Sequence, residues 1–383
     1  CLYISYIGQS IKDNSEIPPS VVVSELIDYI EKGFYHPERR PVEIILKKHP
    51  LQPFSPKYFQ KESVIYNYSL EDYIAAQKRL EAKYPPKPFM DKVLKDTYPE
   101  VTHITNSELK RFFYHPAKYF FNNRLGIFLN ETEQIIDDNE PIELKALEEF
   151  QIKKRLIEHL AASGDLDTIK KTISAEGILP PGSQACVLFD DLSLKAEVFF
   201  KKIQNYLSGK KAPLDLNIVL HNFNIDIRLE DIYDCGLVRY RPSKEIKAKY
   251  LLAMWIDHLF FNLLGENSSI FFSIERKYLF RPVKNAKEIL TGLLKIYDEG
   301  LRLPIKLFPE TSYTYVKQLI KKGQSEALKS ARHKWETDND FNDSESSDPY
   351  HRVCFNGIDP LDEAFMHLSE EVFRPLVEAI INE

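Results

Sequence analysis

The spacing of apolar residues along this chain changes period repeatedly, and each change marks a new element. Residues 2–7, LYISYI, alternate apolar with small or polar groups and read as a buried strand. A polar loop and two prolines lead to Ser20 and VVVSELIDYIEKGF, where Val22, Leu26 and Ile30 share one helical face. Ser20 suits the N-cap of that helix and Gly33 its C′ stop. From about 35 to 100 the periodicity fades into a run rich in Pro, Lys and Tyr. Only Leu70–Ala82 carries a helix there, opened by Ser69 with Asp72 at its third position, and the rest reads as a connector lying against the folded parts.

The clearest local pattern follows, in THITNSELKRFFYHPAKYFFNNRLGI. Thr105 with Glu108 forms a capping box, and Leu109, Phe112 and Phe113 make the apolar face of the first helix. Pro116 ends that helix and opens a second, which stops near Gly126. Further helices are predicted over 144–162, 165–175, 190–208, 245–264 and 284–300. The stretch 212–243, APLDLNIVLHNFNIDIRLEDIYDCGLVRYRPS, alternates throughout and reads as two or three antiparallel strands. Short strands are expected at 270–274 and 277–281, and an amphipathic helix over 361–382 that docks back on the domain. Residues 336–349, ETDNDFNDSESSDP, read as a mobile acidic loop, with metal binding by its acids as the lesser alternative.

Composition narrows the class. At 383 residues, two or three folding units are expected, and 43% hydrophobic with 28% charged residues suits a globular protein with a substantial core. No run approaches the roughly 20 apolar residues that span a bilayer, and CLYISYIGQS lacks the basic start and apolar stretch of a secretory signal. The missing initiator Met points to a piece of a longer chain. The four cysteines, at 1, 186, 235 and 354, share no CxxC spacing, which argues against a disulfide framework or a cysteine zinc site and fits a reducing cytoplasm. A formal charge of −6 argues against coating nucleic acid with the whole surface but permits a local basic groove. The 24 Phe and 21 Tyr are assigned mainly to core packing.

Most catalytic signatures are missing. SGKKAP at 208–213 lacks the spaced glycines and the Ser/Thr of a phosphate loop, and no HExxH, GxSxG or GxGxxG occurs, so no cofactor is expected. His159 and His258, on helices, read as packed or surface residues.

Three runs, LKRFFYHPAKYFFNNRLGI, LEDIYDCGLVRYRPS and IYDEGLRLPIKLFPETS, together resemble the C-terminal domain of the RecC family, the gamma chains of exodeoxyribonuclease V. The opening LYISYIGQSIKDNSEIPPSVVVSELIDYI resembles the end of that family's second helicase-like half. The resemblance implies an α/β (mixed α+β) architecture: a small helicase-like remnant at 1–34, a connector at 35–100, and at 101–383 a helix-rich, restriction-endonuclease-like fold without a working active site. Active relatives of that nuclease fold carry an Asp and then a D/E-x-K pair that hold a divalent metal. Arg239 stands where they have the carboxylate and Arg241 where they have lysine; Glu230 is the best candidate for the preceding acid, with Asp226 and Asp231 beside it. An arginine stays protonated and repels a cation, so no metal and no catalysis are expected. An ion pair of Arg239 and Arg241 with Glu230 is the favoured role, phosphate contact the other. In working helicases a strand like LYVALTRA supplies an ATP-contacting arginine, replaced here by Gly8. The related AddB family keeps an active nuclease and an iron–sulfur cluster; His115 stands at its cysteine position before the proline, and no downstream cysteine cluster follows.

The function implied is a non-catalytic DNA-handling and assembly module of an ATP-dependent helicase–nuclease, with RecB and RecD as partners and with duplex ends and separated single strands as ligands. Arg276, Lys277 and Arg281 in RKYLFR join Arg239 and Arg241 as DNA-contact candidates, and KSARHK at 329–334 is a further basic segment, a solvated charged surface being the simpler reading of both. The rival readings are an active nuclease with a migrated ligand set built on Glu230 with Asp226 or Glu245, and a pure protein-interaction scaffold.

Overall fold

Helices lead in the computed structural model, which describes residues 2–10, 15–61, 63–81, 89–90, 92–94, 102–129, 144–180, 182–337 and 344–382. The chain divides into two units, residues 1–86 and 87–383. In the first, α1 (Val21–Gly33), α2 (Pro41–Ile45) and α3 (Leu70–Glu81) are joined by extended chain and one 3-10 turn. The Ser69 hydroxyl accepts the Asp72 N–H (3.2 Å), so α3 starts as its sequence predicts. Ser20 holds the N-cap position of α1 but its side chain makes no capping bond, and Gly33 is the last helical residue, with Phe34 as the cap. Residues 2–7 are not a strand: Leu2, Tyr3 and Ile7 are exposed, and the nearby pairing is a single bridge between Gln9 and Glu16. Alternation alone does not make a strand; its N–H and C=O groups need a neighbour, and no described segment lies alongside.

The second unit opens with β1 (Thr102–Thr105), α4 (Asn106–Tyr114) and α5 (Pro116–Tyr119). Thr105 and Glu108 form the predicted reciprocal box, at 3.1 and 2.7 Å. A π-helical turn, Phe120–Leu125, ends on Gly126 at φ +68°, a left-handed conformation that favours glycine. Then come α6 (Ala146–Ala161), α7 (Leu166–Ala175) and α8 (Ser183–Ile203), followed by β2 (Leu214–Leu220), β3 (Phe223–Leu229), β4 (Ile232–Tyr233) and β5 (Gly236–Tyr240). The chain continues through α9 (Ala248–Asn262), β6 (Ser269–Phe272), β7 (Lys277–Phe280), α10 (Ala286–Arg302), α11 (Pro309–Lys322), α12 (Gln324–Glu336), α13 (Pro349–Phe355), α14 (Glu363–Ala379) and β8 (Ile380–Asn382).

The strands form two sheets, ordered β1-β3-β2 and β4-β5-β6-β7-β8. The run 212–243 is therefore shared between sheets, because Asp231 at φ +60° breaks it after β3. Strands β5 and β6 pair in parallel across α9, as a crossover helix permits. Both faces of this sheet are covered. Leu237 and Phe271 point into the main core with α9 and α10, while Val238, Ile270 and Phe272 face a smaller core under α6, α7 and α8. Burial on both faces explains why SIFF at 269–272 is a continuous apolar run.

Helices α11, α12 and α13 were not assigned from the sequence. Of the acidic run, 338–343 lies outside the described residues. Ser344 is buried, Glu345 accepts the N–H groups of Glu310 and Thr311, and Asp348 caps α13, so this part is built into the fold. The expected terminal helix over 361–382 ends at Ala379; its last residues form β8 on the open edge of β7.

Candidate functional site

Helix α9 is apolar on every side and is buried along almost its whole length, yet it carries Asp257 and His258, both fully buried. A buried carboxylate needs counter-charge and donors. Two neighbouring elements supply them. Arg239 of β5 places Nη1 2.7 Å from Asp257 Oδ2, and Lys110 of α4 places Nζ 2.8 Å from the same oxygen. Asn106, at the start of α4, donates Nδ2–H to Oδ1 (3.0 Å) and to the Arg228 carbonyl of β3 (3.1 Å). One carboxylate thus joins both sheets and α4, with one positive charge in excess. Arg239 and Lys110 keep 25% and 18% of their side chains exposed, so this excess faces solvent.

His258 lies beside the cluster but titrates apart from it. Its ring bridges the Ser269 hydroxyl (Nδ1, 2.7 Å) and the Arg281 carbonyl (Nε2, 3.0 Å), so Nε2 carries the proton and Nδ1 accepts. Burial pushes its pKa down from 6.5 to about 4. The folded value lies below the unfolded one, so the unfolded chain takes up the proton first as pH falls. Stability contributed by the neutral ring is therefore full above about 6.5 and is lost as pH falls toward 4. Urea unfolding measured across this window should fall less steeply for His258→Gln than for the parent chain; equal slopes would refute the assignment.

Arg241 is packed between two rings, 4.3 Å from the Phe150 centroid and 3.9 Å from that of Tyr250, and donates Nη2–H to the Tyr250 hydroxyl (3.1 Å). Its backbone N–H donates to Phe272 O (2.8 Å), continuing the β5–β6 pairing. Arg239 and Arg241 flank a cleft of 740 Å³ between α6 and the ends of β4 and β5, whose rim carries Lys154, Glu158, Lys210 and Asp231.

The acid expected to meet Arg239 lies elsewhere. Glu230 pairs with Arg228 (2.9 Å) and is over half exposed. The partner of Arg239 is Asp257, a correction to the pairing read from sequence. Asp226 accepts from Asn217 (2.7 Å), Asp231 lies 3.6 Å from Lys210, and Glu245 pairs with Arg276 (2.6 Å). Among the described residues, Asp226, Glu230 and Glu245 do not gather into a three-ligand group. The other basic candidates are engaged as well. Lys277 lies over the Tyr206 ring (5.5 Å), and Arg281 donates to the Glu378 carbonyl at the C-terminal end of α14. In the segment 329–334, Arg332 pairs with Asp359 (2.6 Å) and Lys329 with Glu326 (2.8 Å).

Sequence reading missed Asp257, Lys110 and Asn106. The signal for the first was present: a lone acid inside LLAMWIDHLFFNLL breaks the apolar pattern and must have a partner. As a metal site the arrangement is unsuitable, because the single carboxylate is saturated by two cations and an amide donor.

A mixed helix-and-sheet domain with a buried carboxylate locked by basic side chains is the class that fold and site define. The chain belongs to the RecC C-terminal domain family, whose description matches residues 101–320. It is 29% identical over 333 residues to the RecBCD enzyme subunit RecC of Escherichia coli (strain K12), covering 82% of this chain and 29% of that one. The subunit of the same name from Buchnera aphidicola subsp. Schizaphis graminum is 24% identical, with 98% of this chain and 36% of the relative covered. That of Mycobacterium tuberculosis (strain CDC 1551 / Oshkosh) is 25% identical over 374 residues, covering 91% and 32%. The chain thus spans about a third of the length of the curated relatives it matches. Among the described residues no helix is long and apolar enough to cross a membrane.

Proposed function

We propose that the chain is a non-catalytic DNA-handling and assembly module of a RecBCD-type helicase–nuclease acting in double-strand break repair by recombination. It would hold RecB- and RecD-type partners and form part of the wall along which separated strands pass. The observation that carries this reading is Asp257 bound by Arg239, Lys110 and Asn106. A nuclease of the resembled kind needs several oxygen ligands converging on a cation. Here the buried carboxylate of Asp257 is neutralised and the neighbouring charge is positive, so a metal ion is repelled and a phosphate is not. Family membership supports the same assignment, since the relatives carry the name of a RecBCD subunit.

The DNA-facing role falls to the cleft between α6 and β5, lined by Arg239, Arg241 and the rim lysines Lys154 and Lys210, which lie 3.6 Å from the rim carboxylates of Glu158 and Asp231. Because Arg241, Arg276 and Arg281 are already held by intramolecular partners, few phosphate contacts are available to the isolated chain. Binding of forked DNA is expected to be weak, with log K falling against log salt at a slope of about −1 to −2, the value for one or two phosphates. A salt-independent absence of binding would leave the pure scaffold reading. Incubation with linear DNA and Mg²⁺ or Mn²⁺ is expected to give no cleavage; cleavage abolished by Glu230→Ala would establish the migrated-ligand nuclease instead.

A further inference from the structure

A second cleft, of 820 Å³, opens between the end of α4, the start of α9, α11 and the start of α13, and contains a group of side chains that the DNA-handling reading does not use. At its base are His115 between α4 and α5, Asp348 before α13, and His351 within α13. One ligand atom from each lies within 4.8 Å of the others, and the His351 nitrogen beside Asp348 is Nδ1, 4.0 Å from Oδ1, so Nε2 reaches a shared ion by a small turn of the His351 ring. The two imidazoles stack, with ring centroids 4.5 Å apart, and His115 Nε2 is 3.1 Å from Asp348 Oδ2.

His351 distinguishes this group from an ordinary buried network. Its side chain is only 3% exposed, and its Nδ1–H donates to the Glu345 carbonyl at 2.7 Å. That bond fixes the tautomer and leaves the lone pair on Nε2, which has no hydrogen-bond partner among the described residues. A buried, unpaired acceptor is costly unless something occupies it. An imidazole that donates one N–H to a backbone carbonyl while offering the other nitrogen is the usual form of a metal-bound histidine. Asp348 is preoriented in turn, since its Oδ1 accepts the N–H groups of Tyr350 and His351 at the start of α13.

We infer that His115, Asp348 and His351 form a binding site for a divalent first-row transition ion of the Zn²⁺ type. Two imidazole nitrogens and one carboxylate oxygen are a three-ligand set suited to Zn²⁺ and unlike the all-oxygen shells of Mg²⁺ or Ca²⁺. His115 Nδ1 accepts the Lys118 N–H (3.1 Å), so its Nε2 carries a proton and donates it to Asp348. The ion takes the place of that proton. The His115 proton moves from Nε2 to Nδ1, and the capping bond from Lys118 is given up. Partial exposure of His115 and Asp348, at 20% and 27%, provides the entry path and room for a water as fourth ligand. The ligands come from positions more than two hundred residues apart, which is why no motif announces them.

The test uses the untagged chain, stripped with EDTA and titrated with Zn²⁺ alone against a chromophoric chelator. One equivalent should bind per chain. Co²⁺ in its place should give the visible absorption of a low-coordinate site without thiolate bands. His351→Phe keeps a ring in the core and removes Nε2; it should abolish this equivalent. Asp348→Asn keeps an acceptor for capping α13 and should weaken binding roughly tenfold or more. Circular dichroism reports whether each variant is folded, and if His351→Phe is not, Asp348→Asn decides. Absence of a stoichiometric ion, or unchanged affinity in the folded variants, overturns the site.

Discussion

Replacement of Asp257 by alanine is expected to destabilise the second unit by about 3–5 kcal/mol, the cost of breaking a buried ion pair by removing one partner. The carboxylate is fully buried and binds Arg239 and Lys110 at 2.7 and 2.8 Å. Its loss would leave two cations mostly out of water with no counter-charge. It would also leave Asn106 with a donor unsatisfied on that side. Arg239→Met should cost less, because Lys110 still neutralises the acid. The triple change Asp257→Leu, Arg239→Met, Lys110→Met removes all three charges together and should be close to neutral, or at least far milder than the single Asp257→Ala. Urea unfolding of the four proteins checks this. A loss below about 1 kcal/mol for Asp257→Ala would show that the cluster is wet and easily rearranged, and would weaken the reading of β5 as a locked pseudo-site.

Where the chemistry is local, the sequence was legible. The Thr105–Glu108 box, the Pro116 elbow and the Ser69 cap depend on residues within three or four positions, and each was read, although the His115 cap on the Lys118 N–H was not. Long-range choices were not legible in the same way. Arg239 had Glu230 nine residues away in sequence, yet it meets Asp257 on the following helix, because strand direction and the crossover through α9 decide which acid arrives. The alternation of 2–7 promised a strand that a neighbour would have to complete. Helices α11 and α12 were missed because their buried faces are split between Tyr315, Val316, Ala327, Ala331 and Trp335, a mixture of small and aromatic groups with no strong stripe. The metal-type cluster at His115, Asp348 and His351 was invisible for the same reason as Asp257: its members come together only after the fold is complete.

Gly236→Ala is the second change expected to have a large effect, and it probes the same site through the backbone. Gly236 begins β5 at φ +119°, where an L side chain is strained, and an added Cβ would lie 2.2 Å from the Ser268 carbonyl oxygen. That oxygen belongs to the backbone immediately before β6, whose Ser269 pairs with Leu237, so it has no side-chain freedom with which to give way. Strain and overpacking together should cost about 3 kcal/mol or more. Gly300→Ala is the informative contrast. Its Cβ would meet the Phe112 ring at 2.3 Å, but within an ordinary helix and against a side chain, so a smaller cost of about 1–3 kcal/mol is expected. If Gly236→Ala acts by shifting β5, it also draws Arg239 away from Asp257. The double variant Gly236→Ala, Asp257→Ala should then be more stable than the sum of the two losses implies. Strict additivity in urea unfolding would mean that the start of β5 and the ion cluster are independent, so that the strand positions its arginine by some route other than its pairing with β6.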